Sequence, residues 1–242
     1  MIHPIKVLKE ITNYVRNPIA DINNDDKLMQ KIKFIITSIL IMIILKVFFG
    51  AITATLNAFD IVDFTNHTQE KIKNQPILEK ILMVALIAPL FEELAFRLYL
   101  KWKVNFIIIS FSLIFLWFFN KYYLPTNKGL INTENITSKL YFLLACVSIL
   151  SALMIPFITK IKMWGKMNFK FIFYFAVVTF AFMHIQNYTI TTTTILFSPL
   201  IIMPQLLGGT NDAYIRMKYG IVWSFGAHML NNLIFIAGSQ LF

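Results

Sequence analysis

Cysteine is nearly absent: Cys146 is the only one, so no intrachain disulfide can brace the chain. It lies in an apolar run and reads as a small packed residue. Charge is scarce too. Charged residues make up 14% of the 242, against roughly 25% in soluble domains. No HExxH pair and no Gly-rich phosphate loop occur, which removes the zincin and P-loop chemistries. The first 33 residues carry charges, Pro4 and Pro18 but no apolar run, so no cleavable leader is expected there. The net charge of +10 is spread over short segments between apolar runs. That pattern sets topology and meets anionic headgroups; it is not a nucleic-acid signal.

What the chain has is apolar length. Hydrophobic residues are 57% and the mean hydropathy is +0.67. Seven segments approach the ~20 residues a span needs. They lie near 34–57, 81–100, 104–120, 140–159, 169–188, 193–209 and 219–238. The expected fold is all-α, a polytopic transmembrane bundle of about seven spans (six to eight). A segment 1–33 precedes the membrane domain 34–242. In it, Ile5, Leu8, Ile11 and Val15 recur at helical spacing among Lys6, Lys9 and Arg16. This suits a short helix on the membrane surface or a solvated tail. Segments three and six are short and are expected to be tilted, broken or re-entrant. Pro199 and Pro204 fall in the sixth, and Gly208-Gly209 end it. Pro89 should kink the second.

Seven spans put the cations before 34 on one side with Lys101, Lys103, Lys160, Lys162, Lys166, Lys170, Arg216 and Lys218. The other side receives Lys71, Lys73, Lys80, Lys121, Lys128 and Lys139, beside Asp60, Asp63, Glu70 and Glu134. The bias predicts a cytoplasmic N-terminus. The Asn, Ile and Lys usage suggests a bacterial inner membrane.

Glu92 and Glu93 stand side by side inside ILMVALIAPLFEELAFRLYL (81–100), with Arg97 one turn on. Intramembrane carboxylates are costly and usually mark a site. His184 falls near the end of segment five and His228 in the middle of segment seven, one turn before Asn232. His3 and His67 fall outside the spans. The bland alternative is a set of packed, hydrogen-bonded histidines and a glutamate pair at a helix exit. The chemistry these side chains allow is hydrolysis. A glutamate can activate water, a histidine can hold it, and a His/Asn pair can stabilise an oxyanion. Glu92, His184 and His228 could equally hold a divalent metal such as zinc.

Glu92-Glu93-x-x-x-Arg97, Phe180-x-x-x-His184 and His228-x-x-x-Asn232 resemble, in order, the three motifs of the CAAX-protease and bacteriocin-processing (CPBP, or Abi) intramembrane proteases. The resemblance covers roughly 81–238. It implies an α-helical endopeptidase with Glu92 as base and His184 holding water or metal. It implies that His228 and Asn232 complete the site or form the oxyanion pocket, and that Glu93 pairs with Arg97. The family is often described as metalloproteases, and a metal-independent glutamate mechanism has also been argued for it. The implied partners are a peptide or membrane-protein substrate and membrane lipid. A non-proteolytic relative (bacteriocin immunity or scaffold) and a proton-coupled transporter remain as competing readings. No inverted repeat of broken helices favours the transporter. The polar stretch GGTNDAYIRMKYG (208–220) departs from the family's more hydrophobic approach to its last motif.

Depth poses one difficulty. Counted from the nearest flanking cations at 1.5 Å per residue, Glu92 lies about 12 Å deep, His228 about 15 Å and His184 about 21 Å. If the three meet, segment five must start below the membrane plane or be tilted.

Overall fold

The computed structural model describes residues 2–59, 61, 66, 70, 75–123 and 135–238. His67, Asp60, Asp63, Lys71, Lys73, Lys128 and Glu134 lie outside them. Among the described residues there is no strand, only an isolated bridge between Asn66 and Tyr188. Five helical stretches are long and apolar enough to cross a membrane: Leu28–Ala58, Val104–Tyr122, Ile136–Met167, Phe169–Asn187 and Ile221–Gly238. The chain is an all-helical, multi-pass membrane protein.

The helices are α1 (Pro4–Arg16), α2 (Leu28–Ala58), α3 (Ile77–Lys80), a π turn (Ile81–Ile87) and α4 (Ala88–Phe96). After a tight turn at Leu98–Lys101 come α5 (Val104–Tyr122), α6 (Ile136–Met154), α7 (Ile158–Met167) and α8 (Phe169–Met183). Short α9 (Thr192–Leu196) and α10 (Ser198–Ile201) lead to α11 (Met203–Tyr219) and α12 (Ile221–Gly238).

Segments two and six are not single apolar rods. The glutamate segment runs through α3, the π turn and α4, and bears Glu79 and Lys80 as well as the acidic pair. Segment six is broken into α9, α10 and the start of α11, with Pro199 and Pro204 each at a helix start, where the missing N–H costs nothing. Gly208-Gly209 do not end it. Helix α11 runs through them because glycine is needed for close approach. A Cβ on Gly209 would lie 2.7 Å from the Phe180 ring of α8. The stretch 208–220, polar in sequence, is thus mostly helix, and the most enclosed one, packed against α2, α8 and α12. Lys160, Lys162 and Lys166 are likewise not in a loop but on α7, which continues α6.

Segment 4–16 is a helix started by Pro4, and α2 begins at Leu28 instead of 34. The inward face of α1 is Val7, Ile11 and Tyr14, while Ile5 and Leu8 stay exposed. That face joins Phe34, Tyr99, Phe173 and Tyr214 in one core. Polar bonds pin it: Lys218 pairs with Glu10 and lies 3.5 Å from Asp26, and the Tyr219 hydroxyl donates to Asp26 at 2.7 Å. The Tyr219 hydrogen bond and the Lys218 charge hold the Asp26 carboxyl below its ordinary range.

These contacts define the two ends of the bundle. At one, Lys101 approaches Asp21 at 3.8 Å, Lys218 meets Glu10, and the Trp102 indole N–H donates to the Ile161 carbonyl at 2.8 Å. At the other, Lys121 bonds Gln186. The depth difficulty resolves here. The Tyr174 hydroxyl donates to the Val15 carbonyl at 2.6 Å, so the second turn of α8 lies level with α1. Ten residues, about 15 Å of helix, then separate Tyr174 from His184, which matches the depth of His228.

Candidate functional site

The π turn prepares the glutamates. The Ala88 N–H bonds the Met83 carbonyl, five residues back. The next such bond would run from residue 89 to the Val84 carbonyl, but Pro89 has no N–H. The orphaned Val84 oxygen accepts the Asn232 side-chain amide of α12 at 2.8 Å. At the other end of α4, the Arg216 guanidinium donates to the Arg97 and Leu98 carbonyls at 3.2 and 3.4 Å. A cation there also suits the helix dipole. Ser110 of α5 bonds the Leu94 carbonyl at 2.8 Å. The acidic segment is therefore held from three sides.

Glu93 is wholly buried, with 0% of its side chain exposed, and Glu92 is 24% exposed. Glu93 accepts hydrogen bonds from Ser224 at 2.6 Å and from His228 Nδ1 at 3.0 Å, and lies 3.4 Å from Arg97. The Arg97 guanidinium in turn stacks on the Phe180 ring, 3.6 Å from its centroid. Glu92 faces the two histidines: His228 Nε2 lies 3.5 Å from one carboxylate oxygen and His184 Nε2 4.0 Å from the other. The outer ring nitrogens are anchored. His184 Nδ1 sits 2.9 Å from the Phe180 carbonyl, which can only accept, so Nδ1 carries the proton. His228 Nδ1 likewise donates to Glu93. In neutral imidazoles the unprotonated Nε2 atoms are then the ones near Glu92.

Glu92, Glu93, Arg97, His184 and His228 thus come together from α4, α8 and α12, and Asn232 stands one turn further along, on Val84. The sequence reading had missed Asp212, Ser224, Asn231, Lys46 and the capping role of Arg216. Asp212 lies 3.8 Å from His228 Nδ1. One signal was available: Gly208, Asp212 and Arg216 recur at four-residue spacing, which places them on one helix face.

Two donor sets bear on a metal. Glu93, Asp212 and His228 offer ligand atoms within 4.8 Å of one another, and are the one such trio among the described residues. Glu93 already pairs with Arg97, and His228 would have to surrender its bond to Glu93, so this set suits a metal poorly. Glu92, His184 and His228 fall outside that spacing, but they share one trait of a metal site. Ligating histidines characteristically hand their other N–H to a carbonyl or carboxylate, as both do here. Compared with family models, with curated proteins and with solved structures, the chain matches none.

Proposed function

We propose that this chain is an intramembrane endopeptidase of the CPBP type, which hydrolyses a peptide bond in a membrane-associated peptide or protein. One observation carries the reading. Two imidazoles anchored through Nδ1 bring their Nε2 atoms within 3.5 and 4.0 Å of Glu92, the one partly accessible carboxylate of the set. A water held by His184 and His228 gives a proton to Glu92 while its oxygen attacks the scissile carbonyl carbon. Glu92 then passes that proton to the nitrogen as the C–N bond breaks. The Asn232 amide keeps a second hydrogen, not used on Val84, for the oxyanion. Glu93 and Arg97 fix the orientation of His228.

Zinc held by Glu92, His184 and His228 would supply a polarised water in place of the glutamate-activated one. Glu92 would then be a ligand, and the base would fall to Glu93. Glu93 is fully enclosed and already bonded to Ser224, His228 and Arg97, which favours the metal-independent reading. We place the protein in a bacterial inner membrane with the Lys101/Lys218 end cytoplasmic, since the basic clusters collect at that end.

The test is comparative peptidomics of cells carrying wild-type or variant protein. Glu92→Gln and His184→Ala should each lose the peptides that the wild type produces, while remaining folded and inserted. General acid–base groups contribute about 10²–10⁴-fold, so residual cleavage should be near background. Near wild-type profiles from either variant would overturn the roles. Identical profiles with and without the wild-type protein would favour a non-proteolytic function.

A further inference from the structure

We propose that Lys46, in the middle of the first span, is a positioning residue for the glutamate segment. It acts through a directed chain of three hydrogen bonds. The Lys46 ammonium donates to Asn231 Oδ1 at 3.1 Å, Asn231 Nδ2 donates to Asn232 Oδ1 at 3.1 Å, and Asn232 Nδ2 donates to the Val84 carbonyl at 2.8 Å. The chain joins α2, α12 and the π turn.

The sense of the chain is forced from both ends. An ammonium can only donate and a carbonyl can only accept. Lys46 therefore fixes the oxygen of Asn231 toward itself, which fixes its nitrogen toward Asn232, and so on to Val84. Without Lys46, the sense is fixed only from the Val84 end, and Asn231 Oδ1 loses its donor. The Asn231 amide can then turn over, and the bond from its nitrogen that holds Asn232 on the Val84 carbonyl is lost. That loosens the turn from which Glu92 and Glu93 extend.

Two further observations fit. A lysine inside a 31-residue apolar helix is costly and calls for a reason. Among the described residues no carboxylate lies within ion-pair distance of its nitrogen, so the amide is its direct partner. Helix α11 also makes room for it: a Cβ on Gly208 would lie 2.8 Å from Lys46 Nζ and 3.0 Å from Cε. The side chain runs across the glycine, and an alanine there would move the ammonium without altering charge.

The catalytic part of this inference rests on the proteolytic reading, but its structural part does not. The experiment is therefore amide hydrogen exchange, read by mass spectrometry on the full-length protein in detergent. Lys46→Met should speed exchange in peptides covering 85–93 about tenfold, the effect of one lost buried hydrogen-bond partner. Peptides from α5 and α8 should be unchanged. Lys46→Arg, which still only donates, should restore slow exchange. Gly208→Ala should reproduce part of the effect, and serves if Lys46→Met fails to fold. Unchanged exchange at 85–93 in Lys46→Met, or in Gly208→Ala where the first variant is unfolded, overturns the proposal. So does an increase spread evenly over all helices, or failure of arginine to rescue. In the peptidomic comparison, Lys46→Met should yield about a tenth of the wild-type products, with Lys46→Arg intermediate. If the wild type itself cleaves nothing, the proteolytic reading fails and the exchange result stands alone.

Discussion

Two adjacent carboxylates here have opposite situations, and burial is what separates them. Glu92 reaches the rim with His184, whereas Glu93 is sealed among Ser224, His228 and Arg97. Removing Glu92 deletes a reactive group from an accessible edge. Removing Arg97 leaves Glu93 as a buried charge with its compensating cation gone, which costs about 3–5 kcal/mol. Arg97→Ala should therefore lower thermal stability in detergent markedly, and Glu92→Gln should not. A stable but inactive Arg97→Ala protein would show that Arg97 acts on substrate. Zinc is decided at the same scale. Chelator-treated protein should keep its activity on a membrane-anchored reporter, with metal content followed by elemental analysis. Activity that vanishes with zinc and returns on its addition would transfer Glu92 from base to ligand. The residues that the fold brings together here were legible in the sequence because charge in an apolar run is conspicuous. Asp212 and Lys46 were less so: one sits in a segment polar throughout, the other reads as a lone cation in a span.

At the scale of elements, the glutamate helix is a segment with a broken hydrogen-bond ladder, repaired from outside. Pro89 removes a hydrogen bond inside the π turn, and Asn232 supplies the missing donor. The two defects should be coupled. Asn232→Leu leaves the Val84 carbonyl buried and unpaired, at about 1–3 kcal/mol. Pro89→Ala restores a backbone N–H one π turn on. The double variant should then be more stable than Asn232→Leu alone, with a coupling of about 1 kcal/mol or more in a cycle of thermal melts. Additive losses would mean that Asn232 does not serve the carbonyl. Sequence showed that Pro89 would disturb this segment, but not which side chain repairs it, because the donor comes from the other end of the chain. Helix α11 was the hardest element to read. It is polar along much of its length, and its burial comes mainly from the α2, α8 and α12 helices around it. Hydropathy detects contact with lipid, and α11 is packed mainly against protein.

For the whole molecule, which segments share an end follows from contacts instead of from counting spans. A count is fragile here: seven segments can be proposed, five helices are long and apolar enough, and one miscounted crossing inverts every later loop. The contacts carry no such risk. Lys101 with Asp21, Lys218 with Glu10 and Trp102 with Ile161 bring the N-terminal segment, the turn after α4, the end of α11 and helix α7 to one end. Lys121 with Gln186 marks the other. With Cys146 replaced by serine, single cysteines at Asn17, Met167 and Tyr123 report the two ends, and Met167 and Tyr123 are 82% and 77% exposed. A membrane-impermeant maleimide applied to intact cells should label Tyr123→Cys, while Asn17→Cys and Met167→Cys should react only after lysis. Labelling of Asn17→Cys and Met167→Cys together, with Tyr123→Cys silent, would keep the bundle and reverse its orientation. Labelling that splits Asn17→Cys from Met167→Cys would break the shared end itself. The carboxylate site would then lose the level at which α4, α8 and α12 meet, since the depth of His184 is set by Tyr174 lying beside Val15.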